Sequence, residues 1–397
     1  MKLSKFILAG ALATAFAVSA QAATYHIVVT GATTFRDAFH NAVLNAFPGA
    51  SWVADQASAT ADGGIGKYQI YMLVNKPSTG DTTYVQTSFA GSGSGISNVA
   101  KGTSVNVIDE TKLVSFTNGL QTISTAGASG ATAWSPSVAR VAFSDVFQAN
   151  TTAKTPVLNN EETVGIVPFI WVCSTNAPAG LTNVTSQNAA NILGGGQMLA
   201  SQMTGNVDDS GTIVTLLGRK NDSGTRITTV METGYGASNP LVGCKNYLTV
   251  TGTSGADNGK IVGYTASSPA DNIGGSSNGA NMLAVATAPG SAFTDVLLSY
   301  IGVGDLPTGA LVNSVRQLSY NGVAYSPDAI YNGAYTYWGY EHVYKANNWN
   351  VSGQPEGTST VVWNAIKTGL AATLSPFGLD ASLMTVSRGN DGATVAP

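Results

Sequence analysis

Hydrophobic and polar positions change their period several times along this chain, and each change marks an element. Tyr25 to Thr30 is a β-branched run that reads as a buried strand, and Gly31 breaks it. From Thr34 the spacing becomes three and four residues: Phe35, Ala38, Phe39, Ala42, Val43, Ala46 and Phe47 share one helical face until Pro48-Gly49. Thr33 or Thr34 is the expected N-cap of that helix. The order strand, glycine turn, helix recurs more loosely further on. Thr83 to Phe89 is strand-like and runs into the loop Gly91-Ser92-Gly93-Ser94-Gly95, with a helix starting over Ile96 to Val99. Val141-Ala142-Phe143 is a short strand that ends on Ser144-Asp145, and Gly165 to Cys173 is another. Thr185 caps a helix through Leu193 that Gly194-Gly195-Gly196 closes. Strands alternating with helices predict an α/β fold, whose ligand sites lie beyond the carboxyl ends of the strands. The Gly-, Ser-, Thr- and Asn-rich stretches 100–137 and 234–282 read as insertions or elaborated loops. The aromatic run Tyr335 to Tyr344 is either a sugar-stacking surface or, more commonly for such a run, a core or bridging strand.

Composition narrows the compartment and the partners. Lys2 and Lys5, the apolar stretch Phe6 to Val18 and Ala20-Gln21-Ala22 read as a signal peptide over residues 1–22, so the exported chain is expected to begin at Ala23. No later stretch approaches the ~18 uninterrupted apolar residues that a membrane helix requires, so no membrane insertion is expected. A secreted or periplasmic chain of about 375 residues exceeds what one core usually supports, which predicts two lobes. Removing Lys2 and Lys5 from the 18 basic residues leaves 16 against 22 acidic ones, a net charge of −6. Nucleic acid and anionic membrane surfaces are therefore not expected partners. Cys173 and Cys244 either pair, as an oxidising compartment permits, or stay as buried thiols. His26, His40 and His342 show no metal-ligand spacing, and no cofactor is expected.

Four short segments have the make-up of an oxyanion cradle: Gly31 to Phe35, Gly91 to Gly95, Ser144-Asp145, and Gly218 to Thr225. Small hydroxyl and glycine residues at a helix start let several N–H groups face one anion, and the helix dipole adds partial positive charge. One such segment is ordinary. Four of them, sharing a single arginine and with Asp145 as the acceptor, imply that distant stretches converge on one tetrahedral oxyanion.

These motifs, in this order, resemble the periplasmic phosphate-binding proteins that serve ABC importers. The likeness rests on Gly-Ala-Thr-Thr-Phe, Gly-Ser-Gly-Ser-Gly, Ser-Asp, and Arg219 followed four residues later by Ser-Gly-Thr. Weaker likeness runs through Gly165 to Val172, Leu181 to Gly196, Asn278 to Tyr300 and the stretch near 331–344. The resemblance implies a two-lobed α/β fold of the type II periplasmic binding protein superfamily, each lobe a mixed sheet flanked by helices. Lobe one would hold 24–160 plus 305–397 and lobe two 161–304, with the ligand cleft between them. It implies a monomer that hands inorganic phosphate to an ABC permease. By the same resemblance, Thr34 and the Phe35 backbone hold one phosphate oxygen and Ser92 donates its hydroxyl. Arg219 supplies a cationic fork, and Ser223, Gly224 and Thr225 add donors from a second helix start. Asp145 accepts the proton that the ligand still carries. The family commonly has an acid two residues after the arginine to hold its guanidinium. Here that position is Asn221, and Asp222 either takes over the orienting role or repels the anion.

Three other classes fit less well. The second and third glycines of a dinucleotide fingerprint are missing after Gly31, there is no Gly-x-Ser-x-Gly elbow, and the His and Asp clusters of a metal phosphatase are not seen. A surface protein of the same fold that has lost its ligand is the remaining alternative to a binding protein.

Overall fold

The computed structural model describes residues 24–56, 65–76, 81–113, 115–123, 133–219, 222–242, 244, 294–306, 313–349, 356–373 and 378–397. The expected signal peptide and most of 234–282 lie outside these residues. Among them the strands are, in chain order, β1 (Thr24–Gly31), β2 (Ser51–Asp55), β3 (Gln69–Lys76), β4 (Asp81–Phe89), β5 (Ser104–Ile108), β6 (Gly119–Gln121), β7 (Trp134–Val138) and β8 (Val141–Ser144). They continue as β9 (Asn160–Ser174), β10 (Asn183–Val184), β11 (Gln197–Leu199), β12 (Ile213–Leu217), β13 (Val296–Gly302), β14 (Val315–Tyr320) and β15 (Trp338–Lys345). The helices are α1 (Arg36–Ala46), α2 (Ser92–Lys101), α3 (Ser186–Gly195), α4 (Ser201–Thr204), α5 (Gly224–Glu232), α6 (Pro327–Tyr331) and α7 (Glu356–Thr373).

The chain is a mixed α/β protein built on one large mixed sheet, ordered β11-β12-β13-β9-β15-β8-β1-β4-β3-β2-β6. β1 lies parallel to both β4 and β8, and in register Gly31 meets Phe89 on one side and Phe143 on the other. The carboxyl ends of these three strands therefore stand side by side. β12 and β13 form a second parallel pair. The long strand β9 joins the two halves: its residues 160–168 pair with β15, and Phe169 to Cys173 pair with β13. The aromatic run is thus interior, because β15 sits between β8 and β9 with Trp338, Val343 and Tyr344 buried.

The pattern-predicted elements form where a buried face asks for them. α1 buries Ala38, Phe39, Ala42 and Val43 at the expected spacing, and its backbone approaches α7 closely enough that a side chain on Gly369 would lie 2.6 Å from the Ala42 oxygen. α3 keeps both its predicted caps, with Thr185 Oγ1 accepting from the Asn188 amide and Gly196 left-handed at the end. Three expectations need correction, and one open alternative is decided. Neither Thr33 nor Thr34 caps α1; the chain makes a 3-10 turn over Thr33–Phe35 first, and Phe35 takes the N-cap position with no side-chain bond. The segment Gly91 to Gly95 is not a loop before a helix, since α2 starts at Ser92 with only Gly91, at φ 107°, outside it. The stretch 100–137 is not merely loop, because β6 extends the main sheet beside β2 and β5 pairs with β7. Of the two states open to Cys173 and Cys244, the structure has the buried free thiols, and burial pushes the Cys173 thiol up to about 12.

Candidate functional site

The glycine–serine segment and the arginine segment meet on Asp145. β8 ends at Ser144, so Asp145 enters at the carboxyl edge of the sheet, where it is 2% exposed. Ser92, the first residue of α2, donates its hydroxyl to Asp145 Oδ1. Thr225 Oγ1, in the first turn of α5, stands 3.5 Å from Asp145 Oδ2, and Thr228 Oγ1 lies 3.5 Å from the Asp145 carbonyl. A side chain on Gly224 would overlap Asp145 Oδ1 and fall 2.6 Å from Ser92 Oγ, so only glycine lets the start of α5 close on this carboxylate. Two helix N-termini, from segments more than 100 residues apart, thus face one buried acid.

α2 reaches this place because its glycines let it sit directly on β1. A side chain on Gly95 would fall 2.7 Å from the Gly31 nitrogen, and one on Gly31 would fall 2.6 Å from the Phe143 nitrogen. Gly31 also holds φ at 114°, which a residue with a Cβ rarely adopts.

Arg219 follows β12 by two residues and is 2% exposed. Burial draws its guanidinium below the usual arginine range, opposed first by Asp305 and then by Tyr300, Asp145 and Tyr337. Its Nη1 is buried without a hydrogen-bond partner among the described residues. Burial likewise raises Asp145 above the usual carboxylate range, against the pull of the Ser92 bond and of Arg219. Glu341, on β15, is fully buried and held well above that range, first by burial and then by Asp145 itself.

The remaining expected residues are placed less uniformly. Thr34 is buried with its Oγ1 unpartnered, next to Gly302 at the end of β13. The Phe35 ring points into the core, stacked on Phe143 at 5.4 Å. Ser223 caps α5, its Oγ accepting from the Arg226 amide at 3.4 Å, which uses the oxygen as an acceptor and not the O–H as a donor. Asp222 faces α2 and not Arg219: its carboxylate takes the Ser94 hydroxyl, and its carbonyl takes the Gly93 amide at 2.9 Å.

The sequence motifs missed two charged groups. Asp305, three residues beyond β13, is half-buried with its Oδ2 turned inward, within electrostatic reach of Arg36 and Arg219, and burial raises its carboxyl to about 6. Arg36 is 5% exposed at the start of α1. Its place right after Phe35 in the first motif, and the apolar run Val296 to Ile301 delivering an acid, were the available signals.

Among the described residues no group of three or more His, Cys, Asp or Glu could hold a metal ion, and no helix is long and apolar enough to cross a membrane. No family model and no curated protein sequence matches the chain. Solved structures do. An ABC-type phosphate transport receptor from Vibrio cholerae is 13% identical over 89% of this chain and 98% of its own, with a TM-score of 0.46. A high-affinity periplasmic phosphate-binding protein, PfluDING, bound with phosphate, is 14% identical over 90% and 91%, at 0.43. The hydrogen-peroxide-bound OxyR of Corynebacterium glutamicum is 8% identical over 92% and 68%, at 0.41.

Proposed function

We propose that the chain is an extracytoplasmic binding protein for a tetrahedral oxyanion, hydrogen phosphate, taken up between the starts of α1 and α2 on one side and Arg219 with the start of α5 on the other. The observation that carries this reading is the meeting of Ser92, Gly224 and Thr225 on the buried Asp145, with Arg219 close enough to act on its charge. A buried dianion needs donors on every oxygen. Each hydrogen bond to a charged ligand contributes ~1.5–3 kcal/mol net and each helix start about 0.3–1 more. Several such donors together are what the ~8 kcal/mol of micromolar affinity requires after the cost of association. Asp145 supplies selectivity: against a fully deprotonated ion it offers only lone pairs, whereas hydrogen phosphate brings a proton for it to accept. Lobe one would comprise 24–160 plus 305–397 and lobe two 161–304, closing about the ligand, with a signal peptide removed near Ala22 and an ABC permease as the receiver.

Isothermal titration of the chain from Ala23 with phosphate and with sulfate tests this. Phosphate is expected to bind at micromolar concentration or below, and sulfate about a hundredfold more weakly or worse. A second reading is favoured by Asp222, whose carboxylate already occupies the start of α2 through Ser94. In that reading the fold stays closed on its own acid and serves as a surface protein, and neither anion produces heat or raises the melting temperature.

A further inference from the structure

Arg219 is buried, and its Nη1 has no hydrogen-bond partner among the described residues, so that end of the guanidinium is held only by the charges around it. Asp222, the acid nearest in sequence, is turned away onto Ser94 and Gly93. Asp305 is placed differently. β12 and β13 run parallel with Leu217 opposite Ser299, and Ser299 Oγ donates to the Leu217 carbonyl at 2.9 Å. Residues just past the two strands therefore leave the sheet at the same edge, Arg219 from one and Asp305 from the other. Thr34 Cγ2 and Asp305 Oδ2 stand 3.0 and 3.8 Å from the point where a Cβ on Gly302 would sit, which sets the acid beside Thr34. Thr34 Oγ1, Asp305 Oδ2 and Arg219 Nη1 are all buried and unpartnered among the described residues.

Asp305 also carries the largest opposite charge acting on Arg219, ahead of Asp145. The groups that face Asp305 are Arg36 and Arg219, which favour its charge, and Asp37 and Asp145, which oppose it. Both arginines, one at the start of α1 and one after β12, are buried, and both act on Asp305 as opposite charges.

We propose that Asp305 is the positioning carboxylate of the anion site, aligning the Arg219 guanidinium toward Thr34 and Asp145 and keeping Arg36 and Arg219 from repelling one another. This rests on the oxyanion-binding reading above. It makes an unusual demand on sign. If Asp305 were only a bystander charge, removing it from an anion site would tighten binding. If it positions Arg219, removing the charge weakens binding, although an isosteric amide in its place spares the fold a buried charge.

The test is Asp305→Asn beside Asp305→Glu, with phosphate affinity by titration calorimetry and melting temperature read together. The expected result is at least tenfold weaker phosphate binding by Asp305→Asn with a melting temperature unchanged or raised, and partial recovery in Asp305→Glu. Binding as tight as or tighter than wild type in Asp305→Asn overturns the proposal. A readout without ligand separates this from failure of the functional reading. The carboxyl carbon of Asp305 is titrated by NMR in the ligand-free wild type and in Arg219→Met. Loss of the cation is expected to move the Asp305 midpoint upward, and an unmoved midpoint overturns the pairing even if phosphate binds. If wild type takes no phosphate but the midpoint moves, the pairing stands and the oxyanion reading falls.

Discussion

Gly224→Ala is the sharpest mechanical test of the site, because a single methyl is asked to enter a place already filled. In an ordinary helix the change would help by up to ~1 kcal/mol, since alanine is the better helix former. Here the new carbon would overlap Asp145 Oδ1 and stand 2.6 Å from Ser92 Oγ and 2.5 Å from Asp145 Cγ. Asp145 is 2% exposed and cannot simply swing into water. Its carboxylate has to retreat, losing the charge-assisted bond from Ser92, which costs about 1.5–3 kcal/mol. Strain from overpacking adds about 1–3 kcal/mol. The losses outweigh the propensity gain, and the net destabilisation is about 2–4 kcal/mol. In urea with a slope of ~3 kcal/mol/M, the unfolding midpoint falls by about 1 M. Gly195→Ala is the control: it also lies in a helix, ahead of the left-handed Gly196, and nothing comes within 4 Å of the added carbon. That variant is expected to match wild type or exceed it by up to ~1 kcal/mol. Equal midpoints for Gly224→Ala and wild type would refute the packing of α5 against Asp145 and Ser92.

Two further outcomes follow from single residues. Asp145→Asn should collapse the preference for phosphate over sulfate, since the amide can donate to an ion that carries no proton; competition of each anion for the same site measures the ratio, and an unchanged ratio contradicts the role of Asp145. His40 is held down to about 4 by burial, with Tyr71 Oη 2.8 Å from its Nδ1. The folded protein therefore binds fewer protons at His40 than the unfolded chain between pH 6.5 and about 4, and stability falls as pH drops through that window. Replacing it by Gln should flatten the melting temperature there, and an unaltered pH slope would show that His40 titrates normally.

Much of the scaffold was legible because its signals are local. The β-branched run of β1, the three-and-four spacing of α1 and the Thr185 cap of α3 each follow from neighbours a few residues away. What failed depended on contacts across the sheet. Gly93 and Gly95 read as punctuation, yet they lie inside α2, where low helix propensity is overridden because a side chain on Gly95 would collide with Gly31 and one on Gly93 would press on Asp222. Thr33 and Thr34 have the chemistry of an N-cap, but the 3-10 turn shifts α1 by two residues and leaves Thr34 Oγ1 facing inward. Asp305 has no motif at all. Its importance arises only because β13 lies beside β12, a pairing that joins residues about 80 positions apart.

The sum of charges on this chain says little about whether it can hold an anion, because charges beyond about 10 Å are screened at moderate salt while those inside the cleft are not. What matters is that two acids, Asp145 and Asp305, sit among the starts of α1, α2 and α5 and the buried Arg219. Neither acid is in a place that favours full ionisation, since burial raises both. An anion without a proton would press further negative charge on two acids whose ionisation burial already opposes. An anion that carries one can share it with Asp145, so a site with a carboxylate at its centre favours proton-bearing oxyanions over equally sized ions that have none. On the proposed reading, the same acid that looks wrong for anion binding by charge alone is therefore the group that would narrow its choice.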